Sequence, residues 1–131
     1  MPLYRCTAPA GTLDDDQRGE IAEAITSIHC SETGAPRTFV HVQFLDATGD
    51  EATPVVLHGG IRTGRTTDTA QAIIDGCVAT VARVAAIPES DISMRTSSTP
   101  ASWIFEGGRV LPEPGDEEAW LADSPSLPAG G

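Results

Sequence analysis

The chain contains no lysine; its eight basic residues are all arginine. No side chain can therefore supply an aliphatic amine for Schiff-base or general-base chemistry. The amine that remains is the one at the start of the chain. Pro2 is small enough that loss of Met1 is expected, which would leave a secondary amine titrating at about 7.7–8.0. The plainer reading of Pro2 is a strand start, where a missing N–H does no harm. Cysteine is scarce as well. Cys6, Cys30 and Cys77 are odd in number and scattered, which excludes a disulfide framework and points to free thiols in a reducing, cytoplasmic compartment. With His29, His41 and His58 they form no pair at metal-ligand spacing, so neither a metal nor another cofactor is expected. No apolar run is long enough to span a membrane, and no basic start precedes an apolar stretch, so no signal peptide is expected.

What is abundant is negative charge. The net charge is −11, and Glu113, Asp116, Glu117, Glu118 and Asp123 fall in the last twenty residues without an arginine among them. Such a surface repels nucleic acid and anionic membrane, so neither is expected as a partner. The plain reading of the acidity is solubility. It also makes any local cluster of arginines worth explaining.

At 131 residues the chain is expected to be one domain, 1–131. Residues 2–8 alternate and read as a strand. Pro9-Ala10-Gly11 breaks it. Asp14-x-x-Gln17 is a capping-box-like helix start with Asp15 and Asp16 in the first turn. Ile21, Ile25 and Ile28 recur at helical spacing, Gly34 reads as the C-terminal cap, and Pro36 stops the element. Thr38–Leu45 is β-rich, and a turn follows at Thr48-Gly49-Asp50. The same order then recurs. Pro54–His58 reads as a strand, Gly59–Gly64 as a glycine-rich loop, and Asp68-x-x-Gln71 as the start of a helix whose apolar face is Ile73, Ile74, Cys77, Val78, Val81 and Val84. Pro88 stops it, and Ile92–Thr96 is the last strand of the set. A shift of 52 positions lays Pro2 on Pro54, Asp16 on Asp68, Ile21 on Ile73, Pro36 on Pro88 and Val40 on Ile92.

This is the pattern of a tandem duplication of one β-α-β unit, over about 2–45 and 54–97. The expected fold is α+β: a four-stranded mixed sheet with two helices on one face. The other face, assigned Leu3, Phe39 or Val55 with their i+2 neighbours, is too apolar for water, so self-association is expected. Residues 100–131 form a hairpin and tail: an apolar strand Trp103-Ile104-Phe105, a turn Glu106-Gly107-Gly108-Arg109, and a return at Val110-Leu111. Trp120 and Leu121 are expected to dock on a surface, and the final Ser-Pro-Ser-Leu-Pro-Ala-Gly-Gly to be mobile.

Two arginines, Arg62 and Arg65, stand just before the second helix, where the helix dipole is positive. Arginine binds carboxylates bidentately, so the pair reads as an anion clamp against a plain reading of two solvated loop residues. The first unit has Ala10 and Leu13 there. His29 lies on the apolar face of the first helix, opposite Val81 in the second, and reads equally as a core residue or a site residue. Glu106 lies between Phe105 and Gly107. It is either an exposed turn glutamate or a partly desolvated base.

The order and spacing of Pro2-Leu3-Tyr4, Ala24-Ile25-Thr26 running to His29, Thr33-Gly34, Leu57-His58, Arg62-x-Gly64-Arg65 and Glu106-x-Gly108-Arg109 resemble the tautomerase superfamily, in the cis-3-chloroacrylic acid dehalogenase-like subgroup of fused double units. The likeness covers residues 2 to about 120. It implies a macrophage-migration-inhibitory-factor-like fold and a homotrimer. It also implies that Pro2 supplies the amine, that Arg62 and Arg65 hold a small carboxylate substrate, that His29 assists them, and that Glu106 activates water. One position departs from the subgroup: Arg95 stands where the dehalogenases carry a tyrosine, eleven residues before the glutamate.

Two chemistries follow from the resemblance. A protonated Pro2 with Glu106 would hydrate an activated double bond and release halide from a cis-3-haloacrylate. A neutral Pro2 would tautomerise a keto/enol carboxylate. Arg95, as a third cation or as a partner of Glu106, is expected to favour tautomerisation. A trimeric carboxylate-binding protein without catalysis, and a decarboxylase of a β-keto acid or semialdehyde, are the alternatives.

Overall fold

The computed structural model describes residues 2–123. Met1, whose removal is expected above, and the final segment expected to be mobile lie outside the described residues. The chain forms β1 (Leu3–Ala8), α1 (Asp15–Thr33), β2 (His41–Asp46), β3 (Val55–Arg62), α2 (Thr67–Ala85), β4 (Ile92–Thr99), a short hairpin of β5 (Phe105–Glu106) and β6 (Arg109–Val110), and α3 (Glu117–Ala122). The main sheet runs β2-β1-β3-β4. Its outer pairs are parallel and its central pair, β1 with β3, is antiparallel.

Local chemistry sets both helices. The Asp14 side chain accepts from the Gln17 backbone while Gln17 reaches back to Asp14, and Gly34 closes α1 in the left-handed region at φ 75°. α2 begins differently from the sequence expectation. Its cap is Thr66, whose hydroxyl accepts from the Thr69 backbone, and Asp68 is only a first-turn acid. Ile21, Ile25 and His29 from α1 meet Ile73, Cys77 and Val81 from α2 over Tyr4, Cys6, Val55 and Leu57 of the sheet. Each of these isoleucines contributes about 1.5–3 kcal/mol by burial. The helices lie close where Gly76 faces Ile28, whose Cδ1 is 3.2 Å from where a Cβ would be.

Three sequence expectations change here. Gly59–Gly64 is not a loop: β3 runs on through Gly59 and Gly60 to Arg62, bonded to β4 along its whole length. Gly59 is there because a Cβ would sit 2.7 Å from Cε1 of Tyr4 on the neighbouring strand. Thr38 and Phe39 are not in a strand; residues 37–39 make a 3-10 turn that carries Phe39 into a second cluster with Ala101 and Leu111. Likewise Trp103 ends a 3-10 turn and the strand begins only at Phe105.

The sheet's outer face also differs. Val55 is 1% exposed and points into the core. Burial alternates along β1, so Tyr4, Cys6 and Ala8 face the helices and Leu3, Arg5 and Thr7 face away. Paired with these are His41, Gln43 and Leu45 of β2, and Val56, His58 and Gly60 of β3. The open face is therefore largely polar. The repeat shifts for the same reason. His41 and Ser93 are equivalent in the second strands, and their partners are Leu3 and Val56. Pro2 thus corresponds to Val55, and the first strands sit one residue out of step with the ungapped shift.

Candidate active site

Of the groups singled out in the sequence, Pro2, His29, Arg62, Arg65 and Glu106 lie towards one end of the sheet, where β1 begins, β3 ends and α1 terminates, and Arg95 does not. Pro2 is fully buried at the head of β1, and its carbonyl accepts from the His41 backbone at 2.9 Å. Two residues on, Tyr4 points into the core. Its hydroxyl lies 2.7 Å from Nδ1 of His29, with the rings edge to face at 5.6 Å.

His29 is held neutral. Burial, then the charges of Arg65 and Arg62, push its pKa down to about 4. Burial pushes the Tyr4 hydroxyl up, so it keeps its proton. A buried hydroxyl must donate somewhere, and Nδ1 is the acceptor it has among the described residues. Tyr4 therefore donates to Nδ1, which puts the imidazole proton on Nε2. That Nε2 is buried and has no hydrogen-bond partner among the described residues.

Arg65 comes from the turn before α2 and crosses to α1, where Nη1 donates to the Thr33 carbonyl at 3.2 Å. Its Nε and Nη2 are buried and have no partner. Burial and the neighbouring Arg62 push its pKa down from the usual arginine value, against the pull of Glu117. Three donor nitrogens, one from His29 and two from Arg65, are thus buried without an acceptor among the described residues. Leaving buried donors unmet costs about 1–3 kcal/mol each. The open edge of a guanidinium has the geometry to take a carboxylate bidentately.

Arg62 stands apart from Arg65. It is 2% exposed, with Nη1 donating to the Pro112 carbonyl at 2.7 Å and Nη2 to Oε1 of Glu117 at 2.7 Å. Its guanidinium carbon lies 5.5 Å from the Phe39 ring centroid. Burial pushes the Glu117 carboxyl up, but hydrogen bonds from Arg62 and from the Glu117 and Gly115 backbones hold it below the usual carboxylate range. Within the chain, Arg62 is closed by its own ion pair, where the sequence reading had it open to a ligand.

Glu106 sits in the β5–β6 hairpin, with Oε1 3.3 Å from Nε2 of His41. Because His41 also binds the Pro2 carbonyl through its backbone, the hairpin carries Glu106 towards the head of β1. Trp120 docks within the chain, where Nε1 donates to the Val110 carbonyl at 2.7 Å and the ring packs edge-on against Phe39, whereas Leu121, expected to dock with it, is exposed because the short α3 turns it outward. Arg95 is not brought to this cluster. It is exposed on the open face beside His58, across two strands from β1. Burial and the charges of Arg95 and Arg5 push the His58 pKa down.

Sequence reasoning missed Tyr4, His41 and Glu117 as members of the site. Tyr4 carried a signal, being the chain's one tyrosine and two residues from Pro2. Glu117 carried none that separates it from its acidic neighbours. Among the described residues no group of three His, Cys, Asp or Glu is placed to hold a metal, and no helix is long and apolar enough to cross a membrane.

The chain was compared with known proteins against this geometry. Residues 1–124 match a family model described as "Putative oxalocrotonate tautomerase enzyme". The structure of N1, a member of the cis-3-chloroacrylic acid dehalogenase (cis-CaaD) family, is 32% identical with a TM-score of 0.86, covering 95% of this chain and 93% of that one. Native Ps01740 is 39% identical with a TM-score of 0.73, over 80% of this chain and all of that one. A native fused 4-OT is 22% identical with a TM-score of 0.72, over 83% and 95%, and shares the fold. A search of curated proteins returns no match. The chain belongs to the tautomerase superfamily, and is similar within it to the cis-3-chloroacrylic acid dehalogenase family.

Proposed function

We propose that the chain is an enzyme that uses the amine of Pro2, freed by loss of Met1, as acid and base on a small keto/enol or unsaturated carboxylate. The observation that carries this reading is the set of three buried, unpartnered donors, His29 Nε2 and Arg65 Nε and Nη2, at the end of the sheet where β1 begins. They bind the carboxylate of the substrate. Arg65 supplies the bidentate fork and His29 a neutral donor, while Arg62, paired with Glu117, lines the site without holding the substrate.

With the carboxylate fixed, the neutral amine takes the proton of the enol hydroxyl. The oxygen becomes a carbonyl, and the electron pair of the C=C bond takes a proton from the resulting ammonium at carbon. The amine ends as it began, and no oxidant or reductant enters. Glu106, partly exposed beside His41, accounts for hydration as a second activity: it takes a proton from water as the hydroxyl adds to carbon and the ammonium protonates the adjacent carbon. On a 3-haloacrylate that addition leaves a carbon bearing both hydroxyl and halogen, which collapses with loss of halide. Arg95 does not act on the amine of its own chain in this scheme; a role for it passes through a neighbouring copy.

In this reading the chain assembles as a homotrimer; a fused 4-OT that shares the fold is named an asymmetric trimer. The exposed Trp103, Phe105 and Val110 offer apolar contact surface. Three chains of 13.6 kDa give about 41 kDa by sedimentation. The test of the chemistry is reductive trapping. Pyruvate with cyanoborohydride should add once per chain at Pro2, because no lysine competes. Arg65→Ala should slow the trapping at low pyruvate. A chain that keeps Met1, or that gives no adduct at Pro2, refutes the amine chemistry and leaves a carboxylate-binding protein.

A further inference from the structure

Arg62 and Arg65 are three residues apart, yet they are in opposite states. Arg65 has two buried N–H groups free, whereas Arg62 is occupied by a carboxylate of its own chain. The Arg62–Glu117 pair is built. The side chains are 1% and 12% exposed, the contact is 2.7 Å, and the second oxygen of Glu117 accepts from the Gly115 backbone at 2.8 Å. Glu117 also borders a depression of about 490 Å3 that runs past Thr33, the residue to which Arg65 is anchored. Its charge acts on Arg65 as well as on Arg62.

Arg62 and Glu117 cancel and His29 is neutral, so of these four side chains Arg65 alone is left with a positive charge and an open fork. One carboxylate matches that corner and a second does not. A second carboxylate would find its arginine already bound and would meet the negative charge of Glu117.

We propose that Glu117 is a specificity-determining residue that closes Arg62 and restricts the site to monocarboxylates. The inference rests on the carboxylate-binding reading above and names the substrate class within it. Removing the Glu117 carboxylate opens a second fork, and the site then accepts a dicarboxylate whose far end replaces Glu117 on Arg62.

Calorimetric titration of the full chain at about pH 7.5, with butyrate and succinate as probes, tests this. The wild type should bind butyrate, and succinate about tenfold more weakly, the order of effect of one like charge a few ångströms away in a partly screened site. In Glu117→Ala, succinate should gain at least about tenfold over butyrate, through lost repulsion and a newly opened fork. Adding Arg62→Met to Glu117→Ala should abolish that gain. Circular dichroism reports folding. If the alanine variant does not fold, Glu117→Gln carries the test with a smaller gain in the same direction. If butyrate binding depends on Arg65 but the succinate-to-butyrate ratio is the same with and without the Glu117 carboxylate, the inference is wrong and the carboxylate reading stands. If the wild type binds neither probe and Arg65→Ala changes nothing, both fall.

Discussion

Neutral His29 is the feature of this site most open to measurement. A histidine whose pKa is about 4 when folded and about 6.5 when unfolded binds its proton more readily in the unfolded chain. Stability from this group is therefore fully present above pH ~6.5 and is lost as the pH falls towards ~4, levelling off below that. Over the whole window the shift corresponds to about 3 kcal/mol, and between pH ~7.5 and ~4.5 to about 2.5 kcal/mol. His29 is 1% exposed, so solvent screening does not reduce this much. Acid acts on the whole chain and not on His29 alone, so the measurement must be a difference between two proteins. His29→Gln keeps an acceptor for the Tyr4 hydroxyl and removes the titration. Urea unfolding of both chains at the two pH values, at one protein concentration because association shifts apparent stability, gives the result as a double difference. The wild type should lose about 2.5 kcal/mol more than the variant on acidification. A difference that stays constant within about 0.5 kcal/mol means that His29 is not held neutral by the fold. A wild type that instead gains on the variant in acid means a charged imidazole. The tautomer that gives the site its third donor would then be wrong.

Two further outcomes follow from the packing around the same residues. Gly59→Ala places a Cβ 2.7 Å from Cε1 of the fully buried Tyr4 ring, which cannot swing away; it should cost about 1–3 kcal/mol in chemical unfolding, and a neutral effect would show that β3 is not seated against Tyr4 as described. Burial pushes the Cys6 and Cys77 thiols up to about 11 and about 12, so at neutral pH a thiol reagent should label the half-buried Cys30 and leave the other two untouched until the chain unfolds; rapid labelling of all three would contradict the core.

What was legible in the sequence is what local chemistry decides. The Asp14 box, the Gly34 cap and the Ile21–Ile25–His29 stripe involve residues within a turn or two of each other, and the structure places them where the spacing predicts. What was not legible depends on a partner elsewhere. Gly59-Gly60 has the composition of a turn. It stays in a strand because β1 and β4 bond it from both sides and because Tyr4 needs the room. The outer face was misassigned through one step of register. In a strand a single-residue slip exchanges the faces, which is how Val55 was set outside when it is core. The surroundings of the arginine pair were legible only in part. The position of Arg62 and Arg65 before α2 is a sequence fact, but Glu117, which closes Arg62, lies 55 residues further on among similar acids.

The two β-α-β units also explain why the donors collect at one end only. In the helices, Val81 takes the place of His29, and both are fully buried. In the first strands, once the one-residue offset is allowed for, Leu57 takes the place of Tyr4 and is equally buried. The phenol–imidazole pair of one unit is thus a leucine–valine pair in the other. Both fill the same space between helix and sheet, so the core tolerates either. The turn before the helix makes the exchange in the opposite sense, because Leu13 precedes α1 where Arg65 precedes α2. Leu13 lines a depression of about 170 Å3 with Cys6, Ala8, Phe44 and Arg18, and that arginine is occupied by the Leu13 carbonyl and the Asp15 carboxylate. A buried imidazole and a buried guanidinium edge are costly unless something binds them. The first unit bears it through His29 and the second through Arg65, each opposite an aliphatic residue in the other unit, and a ligand that bound both would offset it.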